Sequence, residues 1–142
     1  MPSLVVDCSV AVAWCFEDEA TPVLDALLHQ VQAEGAIVPP LRSKQVGNVL
    51  RGAACRQPIT RETMHERLAL LDMPGIEADA HRGEPVWRST VPALAETEAL
   101  TFSAAVYLEL PIRRGLRLAT SDRAMRQAAT RRRVAVVPPD PA

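Results

Sequence analysis

The sequence predicts an α/β fold in which a mostly parallel central sheet is flanked by helices. Three observations predict it. Short apolar runs open and close the chain and recur between longer stretches of helical periodicity, the pattern of strand–helix–strand units. The runs are Val-, Ile-, Leu- and Ala-rich rather than alternating with polar residues, as strands buried on both faces require. Two acids, Asp7 and Asp122, each stand where a predicted strand hands over to a helix. In open α/β sheets that is the edge where ligands bind. The length of 142 residues and a composition 48% hydrophobic but only 4% aromatic predict one domain with an Ala/Val/Leu core. It spans 1–137, and a Pro-rich tail follows at 138–142.

The elements follow in order. Leu4-Val5-Val6 is a strand ending on Asp7, and Ser9 is placed to cap the short helix after it. Glu17-Asp18-Glu19 is a charged surface turn. Thr21-Pro22 starts a helix, with Thr as cap and Pro in the first turn; Val23, Leu24, Leu27, Leu28 and Val31 recur along it at helical spacing. Gly35 ends it, and Ala36-Ile37-Val38 is a strand closed by Pro39-Pro40. Leu41 to about Arg56 is a helix carrying Val46, Val49 and Leu50. Thr60 and Thr63 cap the next, with Leu68, Leu70 and Leu71 inward. Pro74-Gly75 breaks it before a strand at Ile76-Glu77-Ala78. From Glu84 to Leu100 the helical pattern contains Pro92, which predicts a kink or two short helices. Thr101 opens a helix with Val106, Tyr107, Leu110 and Ile112 inward, disturbed by Pro111 and ended by Gly115. Leu116 to Thr120 is a strand, Ser121-Asp122 starts a last amphipathic helix, and Val134 to Val137 closes the sheet.

Net charge is −1, but the charge is polarised. Met1 to Leu41 holds six acids and no Lys or Arg, whereas Pro111 to Arg133 holds eight Arg and one acid, Asp122. Within that block Arg113, Arg114 and Arg123 flank the strand leading to Asp122 and are candidates to contact a phosphate backbone; a solvated helix face is the alternative. Cys8, Cys15 and Cys55 have no ligand or disulfide spacing, and His29, His65 and His81 form no motif. The longest apolar run is far below the ~18 residues of a membrane span, and no signal peptide opens the chain. A cytoplasmic protein with no membrane partner is expected. The first turn, Asp7-Cys8-Ser9-Val10, lacks the glycines that admit a pyrophosphate, which argues against a nucleotide-binding fold.

Asp7 and Asp122 end strands that a parallel sheet would bring to one edge. Paired carboxylates there suit Mg²⁺ or Mn²⁺, hard ions with oxygen ligands; helix capping is the alternative for each. Ser9, Ser103 and Thr120 are auxiliary candidates that would orient water or phosphate, or else cap helices and turns.

Several stretches carry a resemblance. They are Val5-Val6-Asp7-Cys8-Ser9-Val10-Ala11 with Trp14-Cys15-Phe16, and Val38-Pro39-Pro40-Leu41 with Val46-Gly47-Asn48-Val49-Leu50. Leu100-Thr101 follows with Tyr107-Leu108-Glu109-Leu110, then Arg113-Arg114-Gly115-Leu116-Arg117-Leu118-Ala119-Thr120-Ser121-Asp122-Arg123-Ala124. In this order, over nearly its whole length, the chain resembles the PIN domain family, most closely the toxin half of VapBC-type toxin–antitoxin pairs. The resemblance implies a three-layer PIN-like fold and a Mg²⁺- or Mn²⁺-dependent endoribonuclease with three or four clustered acids. The first acid maps to Asp7 and the last to Asp122. The second position holds Gln45 and the third Ala104, so two acids are vacated. Glu109 lies where the family carries a Glu away from the metal. The resemblance further implies RNA as substrate, a homodimer and a VapB-like antitoxin. With two acids replaced, the expectation is a weakly held metal and weak or absent ribonuclease activity. The alternatives are an active ribonuclease using Asp7 and Asp122, or a non-catalytic module that binds antitoxin or RNA.

Overall fold

A computed structural model describes residues 2–14, 21–40, 60–69, 75–79 and 86–139. The expected helix from Leu41 to Arg56, with Gln45 in it, the turn at Glu17 to Glu19, and Leu70 and Leu71 lie outside these residues. Five described strands, β1 (Leu4–Val6), β2 (Ala36–Val38), β3 (Ile76–Ala78), β4 (Arg117–Ala119) and β5 (Val136–Val137), form one sheet in the order β3-β2-β1-β4-β5. Every pairing is parallel. The described helices are α1 (Cys8–Trp14), α2 (Pro22–Glu34), α3 (Arg61–Ala69), α4 (Val91–Glu98), α5 (Phe102–Arg114) and α6 (Arg123–Arg131). The expected α/β architecture is thus present, with helices on both faces of a sheet that is parallel throughout its described strands.

Strand periodicity builds the layers. Successive side chains point to opposite faces, so Leu4 and Val6 of β1 join Ala36 and Val38 of β2 in a core with α1 and α2. Val5, Ile37 and Leu118 face the other way and pack with α4, α5 and α6. Burying each fully covered Val, Leu or Ile side chain contributes about 1.5–3 kcal/mol, which is why such short strands suffice. The caps match the sequence where the chemistry is simple. Thr21 accepts from Leu24 N–H at 3.1 Å, Thr60 from Thr63 N–H at 3.1 Å and Thr101 from Ala104 N–H at 3.1 Å. Gly35, at φ +83°, leads α2 into β2, and a Cβ there would stand 3.0 Å from the Gly75 carbonyl oxygen.

The prolines resolve differently. Ahead of Pro92 the chain widens into a π turn over Val86–Thr90, and α4 begins at Val91. Pro92 therefore stands at the second position of α4, directly after the π turn, and the stretch divides into two short helical pieces there. Pro111 was expected to disturb α5, yet the helix runs through it to Arg114. Pro111 is buried, and the packing of its neighbours Leu108 and Leu110 with Val5, Ile37 and Leu118 of the sheet offsets the lost hydrogen bond. Ile112, expected inward, is exposed, because the buried stripe runs through Tyr107, Leu108 and Pro111 instead.

Candidate functional site

Parallel register creates the site. Val6 of β1 pairs with Ala119 of β4, so Asp7 and Thr120 leave adjacent strands side by side, and Asp7 N–H donates to the Ala119 carbonyl at 3.0 Å. Both are buried, Asp7 at 4% exposure and Thr120 at 0%. The Ser9 hydroxyl donates to Asp7 Oδ1 at 2.6 Å and accepts from Ser121 N–H at 2.9 Å. It also lies 3.5 Å from Thr120 Oγ1, which accepts from Asp122 N–H at 3.1 Å. Two hydroxyls thus fasten Asp7 to the turn that presents Asp122.

The cap of α1 is Asp7 rather than Ser9. Asp7 Oδ1 accepts from Val10 N–H at 3.3 Å, and its carbonyl accepts from Ala11 N–H. Ser9 stands inside the first turn, which frees its hydroxyl to reach across to β4. Asp122 likewise caps α6, its Oδ1 accepting from Met125 N–H at 3.2 Å, and it is exposed to solvent. Capping and site-building are therefore not rival roles for these acids; the geometry assigns the first to both and leaves oxygens for the second.

Desolvation raises the Asp7 carboxyl above its ordinary value of 3.8, while the hydrogen bonds from Ser9, Thr120 and the backbone pull the other way. No guanidinium or ammonium group pairs with Asp7 among the described residues. Among the described residues this buried carboxylate meets only hydroxyl and amide dipoles, and a divalent cation would supply a countercharge. The donor set fits Mg²⁺ or Mn²⁺ held by one or two carboxylates with water completing the shell. Among the described residues no three His, Cys, Asp or Glu side chains come together to hold a metal. Ala104 is half-buried against the core of α4, α5 and α6, and Ser103 is half-buried beside it at the start of α5.

The arginine candidates separate. Arg113 Nη2 donates to Asp79 Oδ2 at 2.5 Å and its Nε to Glu109 Oε1 at 2.6 Å; Arg114 Nη1 lies 3.5 Å from Asp79. Desolvation pulls the Arg113 guanidinium down, but the hydrogen bonds and charges of Glu109 and Asp79 hold it above its ordinary value. Arg123 is exposed beside Asp122 and opens a surface groove of about 440 Å³ along α6 with Gln127 and Thr130. In the sequence Asp79 is not singled out, and Arg126 stands only as part of the Arg-rich block. Asp79 ends β3 as Asp7 ends β1, a strand-end acid visible as such. Arg126 bridges the Thr120 carbonyl at 2.8 Å and the Pro138 carbonyl at 2.6 Å, so the start of the Pro-rich tail is tied to the site's turn.

No protein-family model matches the chain, and no curated protein matches it. Among solved structures it is similar to the crystal structure of PAE2754 from Pyrobaculum aerophilum, with a TM-score of 0.68 at 20% identity. The match covers 89% of this chain and 86% of that one. Likeness at that identity shows a shared fold. Among the described residues no helix is long and apolar enough to cross a membrane.

Proposed function

We propose that this chain is a VapC-like PIN-domain relative whose divalent-metal ribonuclease site keeps two of four acids and works weakly. One observation carries the reading. Asp7 is buried at the C-terminal edge of a parallel sheet with no basic partner among the described residues, and two hydroxyls lock it to the turn bearing Asp122.

Mg²⁺ or Mn²⁺, when bound, would offset phosphate charge and make water a better nucleophile. The residues do the rest. Asp7 and Asp122 would hold the cation. Ser9 and Thr120 keep the Asp7 carboxylate from turning away. Arg123, on the groove beside Asp122, would take a backbone phosphate of RNA. Arg113 and Arg114 do not share that role in this reading, since Asp79 and Glu109 already occupy them. Ala104 offers no oxygen and Gln45 only a neutral one, so the site lacks a further carboxylate to act as base. A cytoplasmic VapB-like antitoxin and a homodimer belong to the same proposal.

The test is Mn²⁺-dependent cleavage of a structured RNA by the purified chain and by Gln45→Glu/Ala104→Asp, with folding of the variant checked by melting. The wild-type chain should cleave at least about a hundredfold more slowly than the double variant, matching loss of a general base and metal ligands. Asp7→Ala should abolish cleavage in the variant. Fast wild-type cleavage would contradict the depleted site, and cleavage indifferent to Asp7→Ala would contradict the site itself.

A further inference from the structure

At the opposite edge of the sheet, where β4 and β5 begin, lies a second surface pocket of about 460 Å³. Pro111, Leu116 and Val134 give it an apolar floor, and Arg117, Arg132 and Arg133 stand around it. The size falls within the range of small-molecule sites.

The local charge is not balanced. Arg132 Nε donates to Glu98 Oε1 at 2.9 Å, but Arg131 Nε takes the other oxygen of that carboxylate at 2.8 Å. Arg117 lies 3.9 Å from Glu34, whose same oxygen also accepts from Ser3 and Gln30 at 3.2 Å each. Arg133 has no carboxylate partner among the described residues. Four guanidinium groups thus share two carboxylates.

The backbone at Arg133 points the same way. α6 ends with Val134 N–H donating to the Ala129 carbonyl and Arg133 N–H to the Thr130 carbonyl, with Arg133 at φ +61°. That left-handed position usually belongs to glycine. The end of α5 uses one, Gly115 at φ +66°, with open space where a Cβ would stand. At α6 the chain instead accepts a strained backbone and gains, at the pocket, a guanidinium with no carboxylate partner among the described residues.

We infer that this pocket binds a small organic phosphate monoester. The dianion matches the surplus charge, guanidinium forks match phosphate oxygens in pairs, and the apolar floor takes the ester's body. The site is separate from the Asp7 edge and does not rest on the ribonuclease reading.

The experiment is calorimetric and ³¹P NMR titration of the full chain with phenyl phosphate, inorganic phosphate and phenol. Saturable binding should rank phenyl phosphate above inorganic phosphate, with phenol unbound. Arg133→Gly relieves the left-handed strain, so it should melt no lower than wild type while its affinity for phenyl phosphate falls about tenfold, the loss of one charge-assisted hydrogen bond. Arg117→Met should weaken binding as well, and Asp7→Asn should leave it unchanged. The inference is overturned by an absence of saturable binding, by equal affinity for phenol, or by an Arg133→Gly protein that binds as wild type does.

Discussion

Asp7 and the Asp79–Glu109 pair are buried alike, at 4%, 8% and 6% exposure, and the molecule treats them in opposite ways. Asp79 and Glu109 share Arg113, a guanidinium supplied by the sequence itself. Among the described residues, Asp7 receives the hydroxyl of Ser9 at 2.6 Å, nearby Thr120 and backbone amides, and no cation. In the first arrangement, with Arg114 3.5 Å from Asp79, two guanidinium groups face two carboxylates and pin α5 to the end of β3. The second is positioned but not neutralised by the described residues, and its carboxyl is correspondingly raised. Burial of an acid alone therefore does not mark a cation site. The proposed cation site rests instead on an acid that is buried and hydrogen-bonded with no basic partner among the described residues.

The largest effect should come from breaking the paired arrangement. Arg113→Met strips Glu109 of its guanidinium and leaves Asp79 with the longer contact to Arg114, and should cost about 1–3 kcal/mol in urea melts, less than for a fully enclosed pair because solvent reaches part of the guanidinium. If it costs nothing, the pair is not the structural clamp described. Ser9→Ala removes one donor to Asp7 and the acceptor of Ser121 N–H. A loss of about 1–2 kcal/mol is expected, restored largely by Ser9→Thr. Asp122→Ala should cost about 1 kcal/mol through the lost cap, while Asp122→Asn, which keeps a capping oxygen, should cost a few tenths.

Asp7→Asn should destabilise least, and should even stabilise. The raised carboxyl means that the folded state holds its proton to higher pH than the unfolded chain does. Stability attributable to Asp7 is therefore lost as pH rises from about 3.8 through the folded value. Above that window the buried charge is a standing cost that asparagine lacks. The variant's melting temperature relative to wild type should climb across the acid range and then level. A flat difference would mean that Asp7 titrates as an ordinary surface acid.

Much of this was legible from residue order. Leu4-Val5-Val6 and Ala36-Ile37-Val38 read as short buried strands between helical stretches, and a parallel sheet would bring the strand ends ahead of Asp7 and Asp122 to one edge. The threonine caps were equally plain, because an N-cap is a contact within one turn. The illegible parts depend on partners far along the chain. Nothing near Arg113 announces Asp79, 34 residues away, so an arginine that serves the fold reads like one that serves RNA. Ser9 looked like a cap because its reach to Ser121, 112 residues on, exists only once β1 and β4 pair. Pro111 looked like a breaker because the packing of its neighbours on the sheet is a tertiary gain.

The central claim is that Asp7 stands ready for a divalent cation. Melting the wild-type and Asp7→Asn proteins with and without millimolar Mn²⁺ tests it directly, since a ligand that binds only the folded state stabilises by ~1.4 kcal/mol at ten times its dissociation constant. The account predicts that Mn²⁺ raises the wild-type melting temperature and leaves Asp7→Asn where it was. Equal shifts in both proteins, or none in the wild type, would contradict it.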